Sequence, residues 1–496
     1  MPEYDVAALA ALSETTPTHA KAGDTDLVLV REGDTVHALD HACPHLGLPL
    51  SKGVVRDGTL ICAFHHACFR LDGTQTQPPG TGGLRSYPVA IRAGRVIVDA
   101  PLPETDPRPV TPTGARRVVI GGAGACADEA VHALRGMGFD GTIEMVAPDG
   151  PPYDRTMLSK AVLTGAKAAD ALVLTDEDAL ARQAIVLIDG RIASVEAGRV
   201  VLEDGTRRAF DHLLLAPGGR PNALGVPGED HAGVHVLRNA DQAEALAEAA
   251  GRGGRAVVVG GGFIGLEAAA SLAKRGMAVT LLTREAVPLA KLLGDEVAGA
   301  ILAEIEAAGV EVHVGEAASF EGSNTLAAVV TKAGDRLPAD IALVAIGVTP
   351  ATKGIDGLPA QDDGGVRVGP DLSVPGRDGV HVGGDCAEAP TPFGTARIEH
   401  WRVARQHGRR FARAVMGVAE AEVDIPFFWT ALGRQYRYVG HAGDWDEVRI
   451  DGDPSGPFVA RYVEGGRVTA AFGAGRDADL AALHLEMKAA GGPLPA

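Results

Sequence analysis

The sequence predicts a multidomain fold: a small all-β module, an α/β region with two glycine-turn nucleotide units on parallel sheets, and a small α+β C-terminal domain. Three observations carry this. A chain of 496 residues exceeds one ordinary core and calls for three or four domains. The hydrophobic pattern changes at Arg116, from short β-branched runs broken by Gly and Asp to apolar strands followed by helical periodicity. A glycine-rich strand-to-helix turn then occurs twice, at Gly122 and at Gly260.

In chain order, residues 1–100 hold runs such as Leu27-Val28-Leu29-Val30 and Arg95-Val96-Ile97-Val98, separated by turns, and read as the β module. Residues 101–115 are rich in Pro and Thr, show no hydrophobic period and read as a semi-extended linker. Residues 116–240 open a dinucleotide-binding domain: the strand Val118-Val119-Ile120, then Gly122-Ala123-Gly124-Ala125-Cys126-Ala127, a G-x-G-x-x-A turn. Gly122, Gly124 and Ala125 would let the backbone and a helix N-terminus meet a pyrophosphate. Ala127, Ala130, Val131 and Leu134 mark the buried face of that helix. A second strand, Ile143 to Val146, leads to Asp149, where an acid can bind ribose hydroxyls. The competing reading is a glycine turn needed only for packing.

Residues 241–365 carry the full G-x-G-x-x-G, with Gly260, Gly262, Phe263, Ile264 and Gly265 after the strand Ala256 to Val259. One unit would hold FAD and the other a nicotinamide dinucleotide. An acid at the end of the next strand would bind the ribose diol and repel a 2′-phosphate. This chain has Thr283 and Arg284 there, so NADH and NADPH both remain open. Residues 366–425 return to the FAD domain. Residues 426–496 revert to strand and turn, as in Tyr436-Arg437-Tyr438-Val439, and finish in an Ala- and Leu-rich helix.

Within the β module stand Cys43-Pro44-His45 and Cys62-Ala63-Phe64-His65. Two thiolates and two imidazoles, one of each per loop, fit a Rieske [2Fe–2S] centre, in which two His replace two Cys on one iron. A mixed Cys₂His₂ set is also an ordinary structural zinc set. The interleaved C-x-H and C-x-x-H, with Gly47 after the first loop, favours the cluster. The spacing selects His65 over its neighbour His66, which reads as a partly exposed loop residue.

Net charge is −18, so nucleic acid and anionic membranes are poor partners, and a protein with a basic docking face is the better one. Five cysteines in this length make no disulfide framework. The start lacks a basic segment before its short apolar stretch, and no run approaches about twenty apolar residues, so the expectation is a cytoplasmic protein without a membrane span. Oligomeric state stays open.

The segment CPHLGLPLSKGVVRDGTLICAFHHACF resembles the Rieske ferredoxin family, with His66 standing where glycine is usual. Residues 116–496 resemble pyridine-nucleotide-dependent flavoprotein reductases of the branch holding apoptosis-inducing-factor-like proteins and the ferredoxin reductase components of aromatic-ring dioxygenases. PPYDRTMLSK is similar to that branch's P-Y-x-R-P-x-L-S-K and implies Arg155 and Lys160 near FAD, with Thr156 in place of the usual proline. FDHLLLAPGGRP, with Pro217 for threonine, implies Ala216 and Arg220 at the cofactor; ADIALVAIGVTP implies Gly347; VHVGGDCAE implies Asp385 on the FAD ribityl chain. ARIEHWRVARQHG, with Trp401, and IPFFWT resemble segments covering the flavin.

The resemblance implies that the cofactors carry the hydride chemistry and the protein orients them. Glu267 would accept a hydrogen bond from the carboxamide, or be a solvated acid at a helix N-terminus. Lys160 would hold Glu267 or face flavin N5, or be a surface lysine. Phe263 would shield the flavin, or simply pack. Cys126 and Cys386 are isolated in sequence, which disfavours a disulfide mechanism, and Cys68 reads as buried packing. The first ligand loop has only Cys43, so no bridge can join the loops, and a ferredoxin-like potential follows. The leading expectation is electron transfer from NAD(P)H through FAD to the fused cluster and on to an acceptor protein such as an oxygenase or cytochrome. The alternatives are a quinone or oxygen reductase with an accessory Rieske module, and a redox-sensing interaction protein.

Overall fold

The computed structural model describes residues 2–100, 109–323, 325–418 and 423–496. The first module is all antiparallel. One four-stranded sheet runs Thr18–Ala22, Thr25–Glu32, Thr35–Asp40 and Ser86–Tyr87; a second runs Val54–Arg56, Thr59–Ile61, Cys68–Arg70 and Gln75–Gln77. The run at Leu27 is buried on both faces: Val28 and Val30 join the core of the second sheet with Leu60 and Phe69, while Leu27 and Leu29 face Val96 and Val98. That is the period-two alternation of a strand between two layers.

The two α/β domains repeat one plan. Each has a five-stranded parallel sheet, ordered Ile185–Ile188, Thr142–Val146, Arg117–Gly121, His212–Leu215, Val380–Val382 in the first, and Val234–His235, Ile341–Val344, Arg255–Val259, Ala278–Thr283, Val310–Val314 in the second. The glycine-bearing strand is central in both. Helix α1 (Ala125–Gly136) leaves the first glycine turn and α2 (Phe263–Lys274) the second. Ala127, Ala130, Val131 and Leu134 are fully buried, as the periodicity predicts. Strand Val234–His235 joins the second sheet ahead of the expected boundary at 241, because its partner is Ile341–Val344.

The expected linker divides. Residues 101–108 lie outside the described residues. Residues after them are tied to the first α/β domain: Val110 N–H donates to Arg182 O, and Thr113 and Gly114 N–H both donate to Asp140 O. The C-terminal domain is an antiparallel sheet, Phe427–Leu432, Arg434–Gly440, Arg467–Ala474, Phe458–Glu464 and Glu447–Gly452, extended by Leu494–Pro495.

Helix α3 (Trp401–Met416) joins these bodies, and α4 (Asp477–Ala490) covers the β module. On one face α3 crosses α1 at Gly408, where an added Cβ would lie 2.2 Å from Cys126 O. Around that contact α3 carries Arg402, Arg405, Gln406 and Arg409, at helical spacing. Arg402 Nε donates to Pro78 O (2.8 Å), Nη1 to Ile425 O (3.0 Å) and Nη2 to His66 O (2.9 Å). Arg405 pairs with Asp128 (2.6 Å) and Glu129 (2.7 Å) on the first turn of α1 and reaches Gly80 O. Gln406 bonds to Gln77, and Arg409 donates to Gln75 O.

Burial alone would push the Asp128 carboxyl up; Arg405, His132 and Thr175 outweigh it and hold the group well below the carboxylate range. A depressed carboxyl stabilises the fold above its unfolded pKa and loses that contribution as pH falls through the folded value. Arg405→Met strands buried carboxylates and should cost about 3–5 kcal/mol in urea unfolding at neutral pH. The gap to the unaltered protein should close on acidification below the ordinary carboxylate range; a gap constant with pH would show that the charge pair is not its origin.

Candidate cofactor and cluster site

The two cysteine/histidine loops adopt one backbone turn. Cys43 N–H donates to Leu48 O and Cys43 O accepts from Gly47 N–H; Cys62 N–H donates to Ala67 O and Cys62 O accepts from His66 N–H. The fifth residue of each turn therefore has positive φ, +70° at Gly47 and +59° at His66. Glycine is usual there because the turn needs the left-handed region. His66 is not the partly exposed residue expected: it is fully buried, its Nδ1 3.1 Å from His484 Nδ1 on α4 and its ring stacked on Phe427 at 4.0 Å. Side chains of the C-terminal domain fill the space that solvent would occupy around an isolated loop.

The four donors pair by type. The His45 and His65 rings meet edge-on at 4.7 Å. Cys43 and Cys62 share a hydrogen bond that, with burial, pushes the Cys43 thiol up, while the same bond lowers Cys62. Burial pushes His45 down to about 3 and His65 well below its usual value, so both imidazoles are neutral, as metal ligands must be. Both ring nitrogens of His45 are buried without a partner. A single tetrahedral ion would draw all four donors to about 2.0–2.3 Å from one centre. Among the described residues, His19, Asp26 and His41 form the one trio of donors within 4.8 Å of each other, so the Cys/His set is too spread for one ion. Two sulfurs together and two imidazoles together suit a two-iron cluster.

A cavity of about 1050 Å³ runs between the α/β domains to the C-terminal domain. Gly122, Gly124, Ala125, Asp149, Arg155, Lys160, Ala216, Arg220, Gly347, Asp385 and Trp401 line it, with Gly262, Phe263, Ile264 and Glu267 of the second turn. A Cβ on Gly124 would meet nothing, which leaves the helix N-terminus open to a ligand. Trp401 Nε1 and His400 Nδ1 are buried beside the cavity without partners. These features fit an extended dinucleotide. Gly260, Gly265, Thr283 and Arg284 do not line the cavity. Gly260 and Gly265 serve the turn and the helix packing, Thr283 packs beneath Gly261, and Arg284 is exposed.

The two first glycines are equivalent. Gly122 has φ +116° and Gly260 +121°, and a Cβ on each would lie 2.3 Å from a strand-end carbonyl, Ala216 O and Ala345 O respectively. Glu267 sits on the second turn of α2, buried, and not solvated. Its oxygens accept from Ser159 Oγ, Lys160 Nζ, Thr430 Oγ1 and Ala431 N–H. Lys160 is accordingly no surface lysine: Glu267 and Thr156 O each hold its ammonium at 2.8 Å. Arg155 reaches Asp149 at the rim, and Asp385 pairs with Arg238. Phe263 meets Phe428 edge-on while facing the cavity.

Several side chains at the site carry no clear signal in the sequence. Trp429 lines the cavity and touches His65 at 4.5 Å and His45 at 5.7 Å, while Trp401 meets His45 at 5.6 Å. The two indoles thus fill the space between the cavity and the His45 and His65 imidazoles. Its position in IPFFWT was the available signal. Arg238, Arg402, Arg405 and His484 carried none. All five cysteines are buried and none is in a disulfide, and burial raises both Cys126 and Cys386, the latter to about 12, so neither thiol is poised for exchange.

Residues 116–408 match the family described as Pyridine nucleotide-disulphide oxidoreductase, and residues 3–88 match the Rieske [2Fe-2S] domain. The chain is 32% identical over 475 residues to apoptosis-inducing factor 3 of Homo sapiens, covering 90% of this chain and 77% of that one. It is 31% identical over 342 residues to the biphenyl dioxygenase system ferredoxin–NAD(+) reductase component of Paraburkholderia xenovorans, covering 68% and 84%. Among solved structures, the covalent putidaredoxin reductase–putidaredoxin complex superposes with a TM-score of 0.72 at 29% identity, covering 76% and 94%.

The paired glycine geometry yields a selective test. Gly122→Ala should leave the purified protein with about tenfold less flavin absorbance per chain, since a methyl group at positive φ collides with Ala216 O. Gly260→Ala should retain flavin and weaken NAD(P)H binding. Equal flavin loss in both would show that the two turns do not serve separate nucleotides.

Proposed function

The chain belongs to the pyridine nucleotide-disulphide oxidoreductase family and carries a Rieske [2Fe-2S] domain ahead of that region; from this we propose how its residues carry electrons from NAD(P)H to an acceptor protein. It is an FAD-dependent oxidoreductase. Bound FAD would supply hydride acceptance from NAD(P)H and single-electron release, and a bound [2Fe–2S] cluster one-electron acceptance.

The Gly122–Ala125 turn, Arg155, Ala216, Arg220, Asp385 and Trp401 hold FAD. The Gly260–Gly265 turn and Gly347 serve the nicotinamide nucleotide, with Thr283 and Arg284 beside its adenosine end. Asp149 stands at the first nucleotide's rim. Lys160 faces the isoalloxazine as a fixed cation, and Glu267 positions it, because every Glu267 acceptor is already engaged by protein donors. Phe263 shields the flavin face. Cys43 and Cys62 would hold one iron, His45 and His65 the other. The observation that carries the reading is the aromatic wall: Trp401 and Trp429 line the cavity and touch both ligand imidazoles. They exclude water from the gap and leave unbroken van der Waals contact across it.

Relatives are named as ferredoxin reductases, and in this chain the fused module takes the ferredoxin's place. The acceptor protein meets the first ligand loop, where Ala42, Leu46 and Gly47 are exposed while Cys62 and His65 are buried. A net charge of −18 favours a basic acceptor face. Among the described residues no helix is long and apolar enough to cross a membrane.

Anaerobic titration with NADH and NADPH, followed by absorbance and EPR, should bleach the flavin and raise a reduced [2Fe–2S] signal. Bleaching without that signal would refute internal transfer. Trp429→Leu should slow cluster reduction roughly tenfold, about 1.4 kcal/mol in the barrier, while flavin bleaching proceeds. Leu46→Arg should raise KM for cytochrome c, a basic one-electron acceptor, several-fold; an unchanged KM would move the exit elsewhere.

A further inference from the structure

We propose that His66 is a positioning residue that docks the Rieske module permanently onto the reductase, making the cluster a fixed relay and not a carrier that leaves to find its acceptor. The inference rests on internal transfer as read above.

The two ligand loops provide their own control. Gly47 and His66 occupy equivalent places in the same turn, both at positive φ, and a Cβ on Gly47 would meet nothing within 4 Å. A bulky residue is disfavoured at such a φ, so backbone preference alone selects glycine in both. Histidine at the second place adopts the same conformation and uses its side chain across the domain boundary. Its ring stacks on Phe427 of the C-terminal domain and bonds His484 of α4. Its carbonyl takes an N–H from Arg402.

Neighbouring contacts close the same edge. Arg437 Nε donates to Phe64 O at 2.8 Å and pairs with Asp477 at the start of α4. Ile61, Ala63 and Cys68 pack against Ala481 and Leu485 of α4. The histidine edge of the cluster site is thus held from three sides by side chains the module does not own. Releasing it would expose the fully buried Arg402 and His66 together with this apolar patch.

Two experiments decide the matter. Arg56 and Glu486 form an exposed ion pair across the boundary at 2.8 Å, and all five native cysteines are buried, so a bismaleimide can bridge R56C/E486C selectively. A fixed relay retains most of the cytochrome c turnover after bridging; loss of most of it overturns the proposal. If NADH leaves the cluster oxidised even before bridging, internal transfer itself is wrong and the proposal falls with it. If only the bridged protein stalls, transfer stands and docking alone is wrong. For His66, hydrogen exchange of residues 62–66 and 75–80 supplies a readout independent of turnover. His66→Gly relieves φ, so an incidental loop residue would give equal or slower exchange, which overturns the proposal. Loss of the His484 bond and the stack should instead raise exchange about tenfold, with His66→Asn, which tolerates positive φ and can still bond His484, in between.

Discussion

The structure turns on two arginines placed where water does not reach. Arg402 and Arg405 are among the largest fully buried side chains in the molecule, one turn apart on α3. Burying a guanidinium costs several kcal/mol unless its donors are met. Arg402 meets its donors with carbonyls of three separate segments, Pro78, Ile425 and His66. Arg405 meets its donors with two carboxylates on α1. The Arg402 solution needs the β module and the segment entering the C-terminal domain together, and the Arg405 solution needs α1 seated against α3. The arginines therefore make assembly conditional: any one partner missing leaves a buried charge, which is a heavier penalty than losing an equal area of apolar contact.

That condition explains the electron-transfer geometry. Trp401 opens α3, so the helix that clamps the module also carries an indole of the cavity wall, and the Arg405 guanidinium lies 5.0 Å over that ring. Errors in the seating of α3 would move the cavity wall and the ligand loop together. The Lys160–Glu267 pair follows the same logic. Glu267 comes from the second α/β domain, Ser159 and Lys160 from the first, Thr430 from the C-terminal domain, and one carboxylate satisfies all of them. Preorganised charge of this kind needs no rearrangement when electrons move.

What the sequence made legible was local. The two glycine turns, the buried face of α1, the strand runs and the Cys/His spacing are written in neighbouring residues, and the structure forms each of these elements. The family matches agree with the Rieske and flavoprotein architecture. What stayed hidden depends on partners far apart in the chain. A helix reading WRVARQHGRR looks solvated by composition, and nothing in hydropathy separates Arg402 from a surface arginine. His66 and His484 are 418 residues apart. The Glu267 carboxylate reads as a helix-start acid until Lys160 and Thr430 arrive from elsewhere. The Pro- and Thr-rich stretch at 101–115 suggested looseness between bodies, yet the contacts that relate those bodies lie outside it.

The last point alters what the fusion accomplishes. A flexible tether alone raises effective concentration, to about millimolar for short linkers, and leaves the module to bind and release. Here the interface buries Arg402, Arg405, His66 and His484, and one turn position departs from glycine in favour of a side chain that reaches across it. Tethering and docking thus do different jobs: the covalent link guarantees the right partner, while the buried polar contacts set the orientation of the histidine edge toward the tryptophans. With that edge closed, the part of the site left open to solvent is the first loop, at Ala42, Leu46 and Gly47. There Gly47 keeps the residue the turn prefers and leaves the surface free.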